Sequence, residues 1–148
     1  MEDPQAFQTI YILFLLVGVV IGIAVDVFFI LTLQKALRRC SVENQAMSPG
    51  LVWLLLIPFF NLIWDFFVVI KISESLSAEF QKRGILAEPY PGKSIGLAWA
   101  ILTACSIIPI INMFTGIVSL ICWIIYWIKI AGYSKQLVHE SELQPAQA

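Results

Sequence analysis

Apolar and polar positions segregate along this chain in long blocks rather than alternating residue by residue. Ile10 to Leu33 is an apolar run whose only charge is Asp26. Leu51 to Ile72 is a second run, apolar apart from Asn61, Asp65 and Lys71. Ile95 to Ala131 is a third. At about 1.5 Å of rise per residue, each of the first two is long enough for a helix crossing a bilayer. The third is too long for one crossing and adequate for two short ones, over 95–111 and 113–131. The pattern predicts an all-α, polytopic transmembrane helix bundle, and the whole of 1–148 reads as a single integral membrane domain.

The breaks inside the apolar runs decide the topology. Ile57-Pro58-Phe59-Phe60-Asn61 interrupts the second run, and Ile108-Pro109-Ile110-Ile111-Asn112 the third. A proline removes a backbone donor and ends or kinks the incoming helix, and an asparagine caps an outgoing one. Pro58 and Pro109 are therefore expected at turns, with Asn61 and Asn112 as caps. The two breaks belong to a longer internal repeat. Gly50-Leu51-x-Trp53 and Lys71-Ile72 around the first recur as Gly96-Leu97-x-Trp99 and Lys129-Ile130 around the second. A real repeat predicts that both copies fold as helix, turn, helix with both ends on one side. The longer copy would then cross twice, and the shorter would be a Pro-broken re-entrant hairpin beside three full spans. The alternative is four plain spans.

Charge separates the two layouts. The chain starts with Glu2 and Asp3, and Lys35, Arg38 and Arg39 follow the first run, which places its N-terminus outside and its C-terminus in the cytoplasm. With 51–72 returning to its own side, all nine Lys and Arg are cytoplasmic. Four plain crossings leave Lys35, Arg38 and Arg39 outside, so the positive-inside rule favours the hairpin. Beyond Lys71, the spacing of Ile72, Leu76 and Phe80 predicts a cytoplasmic amphipathic extension over 73–84. Glu79 and Arg83 form an i, i+4 pair there, and Gly84 stops it. Ser48-Pro49 opens the second run as N-cap and first helical residue. Gly18, Gly22 and Asp26 share one face of the first helix, a small-xxx-small surface for helix packing.

Composition strengthens the membrane assignment: 59% of residues are apolar, 13% are charged and mean hydropathy is +0.86, too apolar for a soluble domain of this size. No extended basic face is expected that would neutralise a nucleic-acid backbone, so nucleic acid is not expected as a partner. The three cysteines form no even framework. Cys105 and Cys122 read as small core residues, and Cys40, after Arg38-Arg39, as a free thiol or a palmitoylation site. Trp123, Tyr126 and Trp127 suit an interfacial aromatic belt.

Ionisable residues inside a membrane are the candidates for chemistry. Here they are Asp26 and Asp65, with Lys71 and Lys129 at the edges. In the hairpin layout the two aspartates lie at one depth, where two carboxylates would share a proton or hold a cation. In the four-span layout they lie in opposite leaflets. A Gly-x-Gly-Asp element, a Gly-x-Ser-x-Gly elbow and His-Glu-x-x-His are all absent, so no catalytic residue, metal ligand set or cofactor is expected.

Ser48-Pro49-Gly50 with Trp53, the Ile57-Pro58-Phe59-Phe60-Asn61 turn and the closing Ile124-Ile125-Tyr126-Trp127 with Lys129 resemble a group of small bacterial multi-spanning membrane proteins of unassigned activity. In some of these the membrane unit is joined to soluble domains. The resemblance covers about Met47 to Leu137 and implies the bacterial cytoplasmic membrane. It carries over no functional residues. The expected function is a non-enzymatic helix-bundle module. Its partners would be membrane lipid, a second copy of itself, or another membrane or soluble protein. The alternative is an oligomeric cation channel or proton pathway using Asp26 and Asp65.

Overall fold

A computed structural model describes residues 4–143, with the side chains of 5–108 and 114–140. The described residues form four α-helices: α1 (Pro4–Arg38), α2 (Asn61–Arg83), α3 (Lys93–Cys105) and α4 (Pro109–Leu143). A short 3-10 turn (Val42–Asn44) and a 3-10 arm (Pro49–Leu56) lie between α1 and α2. No strand occurs among the described residues. Two stretches, Gln5–Arg38 and Phe114–Glu140, are long and apolar enough to cross a membrane. Only 6% and 17% of their apolar windows are buried, unlike the core helices of a soluble protein. The last part of α1 packs into the core through Phe29, Ile30, Leu33, Ala36 and Leu37.

Side-chain bonds fix the helix directions. Trp127 Nε1 donates to Thr32 Oγ1 at 2.9 Å, and seven residues further along both helices Arg39 Nη1 donates to Ser134 Oγ at 2.8 Å. So α1 and α4 run parallel. α3 runs against α4, since Thr103 and Ser119 hydroxyls pair at 2.9 Å and Ser106 and Thr115 at 3.1 Å. The segment after α1 climbs antiparallel to α2. Glu79 accepts from Ser41 N–H at 2.8 Å, Ser75 Oγ from Ala46 N–H at 2.9 Å, and Leu51 carbonyl from Trp64 Nε1 at 3.0 Å. The apolar stretch from Leu51 to Ile72 thus folds back on itself. α1, α2 and α4 all finish at the same end.

The turn is built from the residues the sequence marks. Pro58 has no N–H to continue the 3-10 arm, and Phe59 sits at φ 65°, a left-handed conformation that a bulky side chain adopts only under strain. Asn61 N–H then donates to Ile57 carbonyl at 3.1 Å and α2 begins. Stacking of Phe60 on Trp64, and of Trp64 on Phe67, lines its first turns. At its far end α2 stops at Gly84, φ 67°, where Ile85 N–H reaches back to Phe80 carbonyl at 2.9 Å.

Several expectations need correcting. Asn61 is the first residue of α2, not its cap; Phe60 holds the cap position and no side chain bonds there. The second turn lies at 106–108. Pro109 opens α4, and Asn112 falls inside the helix rather than capping it. Their side chains lie outside those described. Ser48 precedes the 3-10 arm with Pro49 as its first residue, but its hydroxyl makes no cap bond. The 73–84 extension is helical, yet it is not a one-sided amphipathic surface. Ser73, Ser75, Leu76, Ser77, Glu79 and Phe80 are all buried, because the 41–47 segment and α4 cover it. Tyr126 is a core residue rather than part of a belt, and Trp127 turns inward to Thr32. Cys105 is exposed and Cys40 is buried. Burial, reinforced by the Glu79 charge and opposed by Arg83, pushes the Cys40 thiol up to about 12, which disfavours the reactive thiolate.

Candidate functional site at the helix break

A cavity of about 340 Å³ opens beside the turn, between α1, the 3-10 arm, α2, α3 and α4. Its polar lining is Asp26 from α1, Asn61 and Asp65 from α2, Thr103 from α3 and Ser119 from α4. The fold-back creates it. Leu55 of the 3-10 arm and Asn61 at the start of α2 both line it.

The two aspartates meet here, and they differ. Asp65 is 4% exposed. Among the described residues it has no hydrogen bond and no ion pair, although a buried carboxylate ordinarily has both. Asp26 stands at the exposed rim of the same cavity, near enough for its charge to act on Asp65. Two carboxylates facing one another in a poorly solvated space repel, and a shared proton or a bound cation relieves that repulsion. The Tyr126 hydroxyl is also buried and without a hydrogen-bond partner among the described residues.

Lys71 and Lys129 do not join the acids. Lys71 pairs with Glu74 at 2.8 Å and Lys129 with Glu88 at 3.0 Å, both away from the cavity. Gly18 and Gly22 also stand apart: a Cβ added to either would meet nothing within 4 Å. Every described side chain from Gln5 to Ala24 is exposed. The described residues include no group of three or more His, Cys, Asp or Glu arranged to hold a metal.

Two features escaped the sequence. Thr103 and Ser119 line the cavity and bond each other. Their signal was present, as rare hydroxyls within the third apolar run. Phe29 carries the floor: its ring makes edge contacts with Trp99, Trp123, Tyr126 and Trp127, with centroids 5.2 to 6.2 Å away. Nothing in one more phenylalanine of an apolar run distinguishes it beforehand. Compared with known proteins, the chain matches no family model, no curated protein and no solved structure.

Proposed function

We propose that this is a non-enzymatic integral membrane protein whose acid-lined cavity holds a proton or a small cation in transit. In this reading α1 and the α3–α4 hairpin cross the bilayer, and the 49–72 hairpin re-enters from the cytoplasmic side. The resemblance to bacterial membrane proteins favours the bacterial cytoplasmic membrane. One observation carries the reading: a buried Asp65, without a partner among the described residues, lines a cavity whose rim is a second carboxylate. Depth agrees with it. Asp26 lies nine residues above Lys35, about 14 Å along the helix axis, near the middle of a hydrocarbon core about 30 Å thick. Discontinuous helices with polar groups at mid-depth are the usual construction of membrane ion sites.

A second reading is a self-associating module without transport. The uncovered half of α1 favours it, because Gly18 and Gly22 offer close approach to another helix and Asp26 is exposed at the foot of that face. The two readings are compatible if a second copy closes the rim of the cavity.

The test is cation and proton flux in proteoliposomes. The parent is expected to conduct, with Asp65→Asn lowering flux at least tenfold and Asp26→Asn lowering it less, because Asp26 is at the open edge. Flux indifferent to both substitutions overturns the pathway and leaves self-association.

A further inference from the structure

The geometry points to a binding site for the phosphate headgroup of an anionic phospholipid in a second cleft, between α1 and α4. This cleft, about 300 Å³, is separate from the acid-lined cavity and rests only on the membrane placement proposed above. Phe28, Thr32, Lys35 and Arg39 recur at helical spacing on one face of α1, and Lys135 faces them from α4. The apolar end of the cleft is Phe28 and Leu31, both exposed. Its basic end begins two turns further on, where α1 leaves its apolar run. A headgroup on Lys35, Arg39 and Lys135 would leave its acyl chain lying along Phe28 and Leu31.

The cations are also uncommitted. The ion pairs among the described residues use Lys71, Lys82, Arg83 and Lys129, and leave Lys35, Arg39 and Lys135 without a carboxylate. Arg39 is held in position nonetheless. Its Nη1 donates to Ser134 carbonyl at 2.6 Å and to Ser134 Oγ at 2.8 Å, which fixes the guanidinium at the seam with its other N–H groups unused by the described residues. Three convergent positive charges, one of them pre-oriented, suit a phosphate. The adjoining lipid-facing apolar wall selects a lipid over a free anion, and basic pockets between helices at this interface are known lipid sites.

The experiment is binding to purified, delipidated protein in neutral detergent, with phosphatidylglycerol, phosphatidylcholine and inorganic phosphate as separate probes. Phosphatidylglycerol is expected to bind at least tenfold more tightly than phosphatidylcholine, and inorganic phosphate not to compete at equal concentration. Lys35→Gln with Lys135→Gln should remove that preference; both side chains are exposed, so the fold is not at stake. Lys82→Gln with Lys93→Gln removes the same charge elsewhere and should leave the preference intact. Equal binding of the two lipids, an equal loss in the control pair, or full competition by inorganic phosphate would each overturn the proposal. None of these results depends on ion flux.

Discussion

Glu79→Ala is expected to destabilise the protein by about 3–5 kcal/mol, the usual consequence of stripping one partner from a buried ion pair. Glu79 is 1% exposed and holds the common end of three helices together. Its Oε2 accepts from Ser41 N–H at 2.8 Å and Asn44 Nδ2 at 2.7 Å, and its Oε1 from Arg83 Nε at 2.7 Å. Arg83 continues the chain, donating to Leu137 carbonyl at 2.7 Å and Arg39 carbonyl at 3.2 Å. The alanine variant would leave Arg83 mostly buried without its carboxylate and Ser41 N–H without an acceptor. Thermal unfolding in detergent is the measurement, with a midpoint lower by about 10 °C or more expected.

The same residue predicts a pH dependence. Burial by itself would raise the Glu79 carboxyl. The bonds from Asn44, Ser41 and Arg83 outweigh burial and hold it below the ordinary glutamate value. Its contribution is therefore fully present above about pH 4.3 and is lost as the pH falls through the folded-state value. The gap in unfolding midpoint between parent and Glu79→Ala should be constant near neutrality and narrow in acid. A gap that widened on acidification would show that the network does not act through the ionised carboxylate.

Gly96→Leu is expected to disrupt the contact of α3 with its neighbours. A Cβ at Gly96 would lie 2.6 Å from Val69 Cγ1 and 2.8 Å from Tyr126 Cε2. Tyr126 has no room to yield, being buried and stacked on Trp99. Overpacking of this kind costs about 1–3 kcal/mol for a small addition and more for a leucine. Gly50, its counterpart in the repeat, has nothing within 4 Å of an added Cβ, so Gly50→Ala should leave the unfolding midpoint unchanged. The two glycine positions therefore differ in their packing.

Much of the plan was legible because it rests on chemistry written locally. Pro58 cannot donate, Gly84 tolerates a left-handed φ, and the apolar blocks bound the helices. Asp26 and Asp65 line one cavity, as the hairpin layout expects of them and the four-span layout does not. The Glu79 network was not legible. As a sequence pair, Glu79 and Arg83 look like any solvent-exposed i, i+4 neighbours; only the path of 41–47 over α2 buries them. The asparagine caps failed for a related reason, since each turn closes before its asparagine is reached. Tyr126 and Trp127 were misread because aromatic residues near a basic helix end fit an interface or a core equally well. The parallel course of α1 and α4 decides between them.

The proposed re-entrant course of the 49–72 hairpin is most directly tested by sided cysteine labelling in oriented membrane vesicles, with Cys105 and Cys122 replaced by alanine. Phe7, Val42 and Leu86, each exposed, are converted one at a time to cysteine. The account predicts that positions 42 and 86 label from the same side and position 7 from the other. Labelling of 7 and 86 together, with 42 opposite, would mean that the segment between them crosses the bilayer, contradicting the fold-back and separating the two acids.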